Sequence, residues 1–294
     1  MHRVVVSLIE GRAGPLGPPR PRTANAHPTG RPGGPSLPQG ILPRLLLLLA
    51  VFLPFAGAAA HATTADTLIQ EALAAEQRLD SAKALELFLQ ADTAKPDDAF
   101  ILQKIARQYS DSIVDLPDTD IAEKKRRATE ALAYAERAVA LDPKNAVSVL
   151  SLAVCHGTLA VYSDTRTKIR YSRLMKEEAE RALALDPNYA WAHHFIGRWN
   201  YEVASLGGTT KFFVKLIYGG LPAASCEQAV VHLQRAVELE PKALSHHIDL
   251  GFAYLAAGQK ENARACFEHG LLMPSVEKHD EIDKARARDA LKML

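Results

Sequence analysis

Cysteine is scarce in this 294-residue chain. Cys155, Cys226 and Cys266 are odd in number, far apart and without a Cys-x-x-Cys pair. No disulfide framework or zinc site is expected from them. Cys266, beside Phe267 in a helical register, reads as a small buried hydrophobe. Signatures for phosphate, metal or an activated nucleophile are also missing: there is no G-x-x-x-x-G-K, H-E-x-x-H or G-x-S-x-G. The pairs Gly207-Gly208 and Gly219-Gly220 read as turns. Charge of one sign is lacking too. The 35 basic and 34 acidic side chains nearly cancel, and residues 1–60 hold six arginines against one acid, leaving 29 basic against 33 acidic beyond them. So mildly acidic a body argues against nucleic acid, whose binding rests on clustered cations. The one basic knot, Glu123 to Arg127, reads as a solvated helix face. No catalytic residue, metal or cofactor is expected, and no enzyme.

What the chain does have is a segment that recurs. ALELFLQADTAKP ends at Pro96, ALAYAERAVALDP at Pro143, EEAERALALDP at Pro187, AVVHLQRAVELEP at Pro241 and ARACFEHGLLMP at Pro274. Each proline stops a helix, because it has no N–H to donate and disfavours helix in the residue before it. The alignment leaves Ala91, Ala138, Ala182 and Ala236 in one column, which means another helix passes too close for a larger side chain. Internal repetition of this kind indicates a stacked helical array whose units bury their apolar faces against one another.

The last unit identifies the repeat. His247-Ile-Asp-Leu-Gly-Phe-Ala-Tyr254 is followed by Gly258, Ala263, Phe267, Gly270 and Pro274. That order resembles the tetratricopeptide repeat, with Leu-Gly-x-x-Tyr on helix A and Ala-x-x-x-Phe on helix B. Ile196-Gly197 and Ile105-Ala106 occupy the corresponding slots of earlier units. Successive prolines are 47, 44, 54 and 33 residues apart, against about 34 in the ordinary repeat. The first three intervals therefore predict lengthened helices or an added short helix, since long structureless loops are uncommon. The fold expected is all-α: a tetratricopeptide-like α-solenoid over 63–294, with elongated helix pairs and a C-terminal capping helix from Glu277 to Leu294.

Three stretches narrow the resemblance: Trp191-Ala-His-His-Phe-Ile-Gly-Arg-Trp199-Asn-Tyr201, Lys211 to Pro222, and Leu271-Leu-Met-Pro274. Over about residues 95–294 they make the chain similar to the regulator of microtubule dynamics family. The resemblance implies an all-helical tetratricopeptide-like protein. It also implies two activities linked to some members: association with microtubules, and phospholipid held in the helical groove at membrane contact sites.

The N-terminus is a separate matter. Residues 1–40, rich in Pro, Gly and Arg, read as a disordered extension or as sequence upstream of the true start. Arg44, the apolar run Leu45–Phe55 and the small residues up to Ala62 describe a secretory signal peptide over 41–62. The run is shorter than the roughly twenty apolar residues of a membrane span. A secreted or periplasmic location and a soluble mature domain follow as expectations. A membrane anchor or organelle-targeting segment is the alternative.

Helical period places the concave face of such a stack on one stripe of each helix A. The stripe reads Val147, Leu150, Val154 and Gly157, then Trp191, His194, Arg198 and Tyr201, then Ser245, Ile248, Phe252 and Leu255. An apolar groove with Arg198 near its middle suits a protein or peptide segment, or an acyl chain with an anionic head group. Arg198, Tyr201, Trp191 and Phe252 are the expected anchors. The insertions or the C-terminal helix filling the groove remains open as a third reading. Adjacent histidines on a helix point about 100° apart, so His193-His194 and His246-His247 read as core packing, not ligand sets. Lys211-Phe212-Phe213-Val214-Lys215-Leu216-Ile217-Tyr218, the most apolar stretch after residue 62, is either a helix buried against its neighbours or a membrane or partner contact.

Overall fold

The structure is a computed structural model and describes residues 64–294; the expected 1–40 extension and 41–62 targeting segment lie outside them. Among the described residues there are twelve α-helices, a single 3₁₀ turn and no strand. Ten of the helices form five antiparallel A/B pairs. They are α1 (Ala65–Gln77) with α2 (Ser81–Ala94), α3 (Ala99–Asp111) with α4 (Ile121–Leu141), and α5 (Ala146–Ala160) with α6 (Thr165–Leu185). Next come α7 (Ala190–Ala204) with α9 (Cys226–Leu239), and α10 (Leu244–Ala256) with α11 (Lys260–Leu272). Between α7 and α9 lies the extra helix α8 (Gly208–Tyr218), and α12 (Asp280–Leu291) packs on α10 and α11. The three long proline intervals are thus resolved in two ways. Helices α4 and α6 are stretched to 21 residues each, and the third interval gains α8.

Local chemistry explains the repeat. Helices α2, α4, α6, α9 and α11 each end two residues before a proline. The residue between, Lys95, Asp142, Asp186, Glu240 or Met273, is pushed out of helical backbone geometry, as a following proline requires. In the first four, its N–H still reaches back to the alanine of the recurring column, at 2.8–3.0 Å. Ala91, Ala138, Ala182 and Ala236 are fully buried. Glycine serves the same close approach within a pair. A Cβ on Gly197 would lie 2.6 Å from Leu233 Cγ, and one on Gly251 would lie 2.5 Å from Phe267 Cε1. Neither methyl fits unless the Leu233 or Phe267 side chain, or helix B itself, shifts. His193 and His247 are not core residues as expected. They are half-buried, and their Nε2 atoms meet the carbonyls of Pro187 and Pro241 at 3.1 and 2.8 Å. The same contact is made at two successive repeat junctions.

Candidate functional site

Helices α3, α5, α7 and α10 present their inner faces to one groove, and the chain's own C-terminal segment crosses it. A cavity of about 930 Å³ lies between them. Its apolar wall is built by Val147, Leu150 and Val154 of α5 and by Trp191 and Phe195 of α7, with Ile282 of α12 opposite. Three lysine or arginine side chains line it: Arg107, Lys124 and Arg198.

The roof is fastened at its near end by charge. Asp249 on α10 is fully buried and accepts from three groups, Arg286 Nη1 on α12 at 3.0 Å, Tyr201 Oη at 3.2 Å and Arg198 Nη1 at 3.4 Å, with His194 Nε2 at 3.3 Å beside them. Burial alone would raise the Asp249 pKa; Arg198, Arg286 and His194 outweigh it and hold the carboxyl below the usual range. Arg286 also pairs with Asp283 at 2.9 Å and stacks 4.3 Å from the centre of the Phe252 ring. Ser245 Oγ donates to Asp283 and Asp280. At the far end the same segment reaches the first two helix pairs. Glu277 pairs with Arg107, Lys278 with Asp115 at 2.8 Å and with the Leu79 carbonyl at 3.1 Å, and His279 with Asp111 at 3.5 Å.

Beside this network sits a pair of neutral imidazoles. His194 Nδ1 and His246 Nδ1 are 3.1 Å apart, so one donates and the other accepts. Trp191 meets both rings edge-on. His246 Nε2 is buried with no hydrogen-bond partner, 3.9 Å from Glu240. Burial, reinforced by His194, pushes the His246 pKa down to about 2.

The expected groove residues therefore divide. Leu150, Val154, Trp191, His194 and Arg198 line the cavity. Tyr201 and Phe252 lie under Arg286 of α12, and Leu255 packs in the core that α12 shares. Ile248 is a correction. It is fully buried and faces helix B, where a Cβ on Gly270 would come within 2.4 Å of it. Arg198, expected as a ligand's partner, is engaged inside the protein: besides Asp249 it donates to Glu202 Oε1 at 2.8 Å. Lys124 differs. It is largely buried on the cavity wall, and it pairs at 2.9 Å with Asp118, whose side chain is fully exposed. The phenol of Tyr162, raised in pKa by burial and lowered by Lys124, stands near it. The inserted helix α8 buries only Val214. Lys211, Phe212, Phe213 and Lys215 are exposed, so the helix is not sunk among its neighbours. Sequence reasoning missed Asp249 and Arg286, the two ends of the bond that closes the groove. An acid inside the otherwise apolar run Ile248–Leu255 is the only local signal of the first, and nothing local marks the second.

A family model described as regulator of microtubule dynamics protein 1-3 matches residues 64–294. Regulator of microtubule dynamics protein 1 of Bos taurus is 29% identical over 199 residues, 67% of this chain and 62% of the relative. The Mus musculus protein of that name is 28% identical over 240 residues, covering 81% and 76%. The chain thus spans about three-fifths of the bovine relative's length. Among solved structures, a thermophilic TPR protein of Thermus thermophilus superposes with a TM-score of 0.56 at 19% identity, over 78% of this chain and all of the other. The match of the family model along every described residue makes this chain a member of the regulator of microtubule dynamics family.

Proposed function

We propose that the protein is a non-catalytic repeat scaffold whose roofed groove binds one amphiphile, its apolar chain along α5 and α7 and its anionic head at Lys124 and Tyr162. The observation that carries this is the crossing of the groove by the chain's own C-terminal segment. A helical peptide needs an open trough about 10 Å wide for its side chains, and Glu277, His279, Ile282 and Asp283 of the C-terminal segment intrude on that opening. What is left is a partly covered cavity of about 930 Å³, apolar along α5 and α7 and polar at its margins, inside the roughly 300–1,000 Å³ of small-ligand sites. Arg198 is engaged with Asp249 and Glu202, so Lys124, whose carboxylate partner is exposed, is the better anion partner. A lipid acyl chain with a phosphate or carboxylate head has this chemistry. The scaffold reading for protein partners stands beside it for the outer surfaces. The relatives' names raise regulation of microtubules, for which the groove offers no support.

Native mass spectrometry of the gently purified full chain should show a bound acyl-bearing species. Val154→Trp, which puts an indole into the apolar stretch between α5 and α7 that the chain would occupy, should remove it without unfolding the protein. Lys124→Ala should weaken an anionic amphiphile by about 1–3 kcal/mol, the worth of a hydrogen bond to a charged group, and leave a neutral one unchanged. Capture of an apolar helical peptide in the chamber, with no amphiphile bound under any condition, would overturn the reading.

A further inference from the structure

Helix α8 carries a second feature that the groove does not use. Phe212, Phe213, Leu216 and Ile217 are 60%, 51%, 68% and 61% exposed on one eleven-residue helix. At 100° per residue these four span an arc of about 140°, and Val214 and Tyr218 lie on the opposite side. That opposite side is the anchored one. Val214 is buried, and Arg173 of α6 clamps the helix end through the carbonyls of Tyr218 and Gly220. Gly219, at φ +79°, closes the helix with N–H bonds from Gly219 and Gly220 back to Lys215 and Val214. The apolar arc therefore points away from the body on a rigidly held element. On the wheel Lys215 lies between the arc and the anchored side, while Lys211 falls beside Tyr218, almost opposite the arc's centre. Neither has a carboxylate partner among the described residues, and Lys211 donates to the Ala204 carbonyl at 2.6 Å. From Val203 to Cys226 there is no aspartate or glutamate at all.

We infer that α8 is an interfacial helix that docks the protein on an anionic lipid bilayer, its four apolar side chains entering the surface, Lys215 meeting the head groups and Lys211 adding positive charge behind it. An outward apolar arc with a lysine at its border and no acid nearby is the pattern of helices that lie in a membrane interface. A second copy of the chain is the weaker occupant: four half-exposed side chains offer roughly 400 Å², about half of what each partner of a stable dimer buries. A single short helix gives weak, reversible docking. The inference does not rest on the groove's ligand.

The test is flotation of the full chain with phosphatidylcholine vesicles, with and without phosphatidylserine. It compares wild type, Phe212→Ser/Leu216→Ser and Lys211→Glu/Lys215→Glu. Any contribution from residues 41–62 is common to all three, so the differences belong to α8. The wild type should float with the anionic vesicles and less so in about 0.5 M salt, where surface charge is screened. Each double variant should bind at least about tenfold more weakly. The substituted side chains are exposed, and unchanged circular dichroism would confirm the fold. Equal flotation of all three proteins would overturn the inference. So would a wild-type dimer, seen by light scattering, that Phe212→Ser/Leu216→Ser dissolves without changing vesicle binding.

Discussion

Asp249 is a single carboxylate holding two guanidiniums, an imidazole and a phenol inside the protein. Asp249→Ala should cost about 3–5 kcal/mol in urea unfolding, because Arg198 and Arg286 would lose their shared counter-charge while still buried. Asp249→Asn, which keeps part of the hydrogen bonding, should cost less. The histidines beside it set a pH dependence of definite sign. His246 has its folded pKa pushed far below 6.5, to about 2, so the native state binds fewer protons than the unfolded chain across that window. Its contribution is complete above about pH 6.5 and falls as the pH drops toward 2. Between pH 6.5 and pH 5 that amounts to roughly 2 kcal/mol from His246 alone, readable as a falling urea midpoint. Asp249 is also shifted down, but its contribution is lost only below the ordinary carboxylate range, so it does not shape that window. His246→Phe should flatten the slope. Gly251→Ala is a separate test of packing: its methyl would meet the Phe267 ring, and overpacking of that kind costs about 1–3 kcal/mol.

Helices are where sequence and structure agree best, and the reason is physical. A proline two residues past a helix end, with an alanine four residues before that end's cap, acts through contacts local to one helix and its neighbour. It can be read from one stretch of chain. Gly197, Gly251 and the lengthening of α4 and α6 are legible in the same way. The site is only half legible. Leu150, Val154 and Trp191 line the cavity because helix A's inner stripe follows from helical period. Tyr201 and Phe252 follow the same stripe, yet α12 covers them, and that covering depends on Arg286 meeting a residue 37 positions earlier. Glu277 meets Arg107 across 170 positions, and no periodic pattern encodes such a pairing. Helix α12 is accordingly the element most open to test. Arg286→Ala should raise amide exchange over Asp280–Leu291 and the Glu277–His279 strap while leaving α3 to α6 protected, since the guanidinium is the strap's link to Asp249, Asp283 and Phe252.

For the molecule as a whole, a solenoid that folds its own C-terminus back across its concave face changes what that face can hold. The tetratricopeptide stack supplies the stripe of apolar helix A residues, and the strap narrows that trough to a partly covered cavity. On the proposed function stability and binding are coupled, because an occupant lined by both the stack and the strap would stabilise the folded protein. Added amphiphile should raise the thermal midpoint of the wild type and leave Val154→Trp where it is. Co-purified ligand, measured by native mass spectrometry of the full chain beside Val154→Trp, bears on the proposal with the fewest intervening assumptions. A mass increment matching an acyl-bearing anion on the wild type, absent from the variant, is the expected result. A wild type that stays empty when offered such anions, or a variant that binds them equally well, would contradict it.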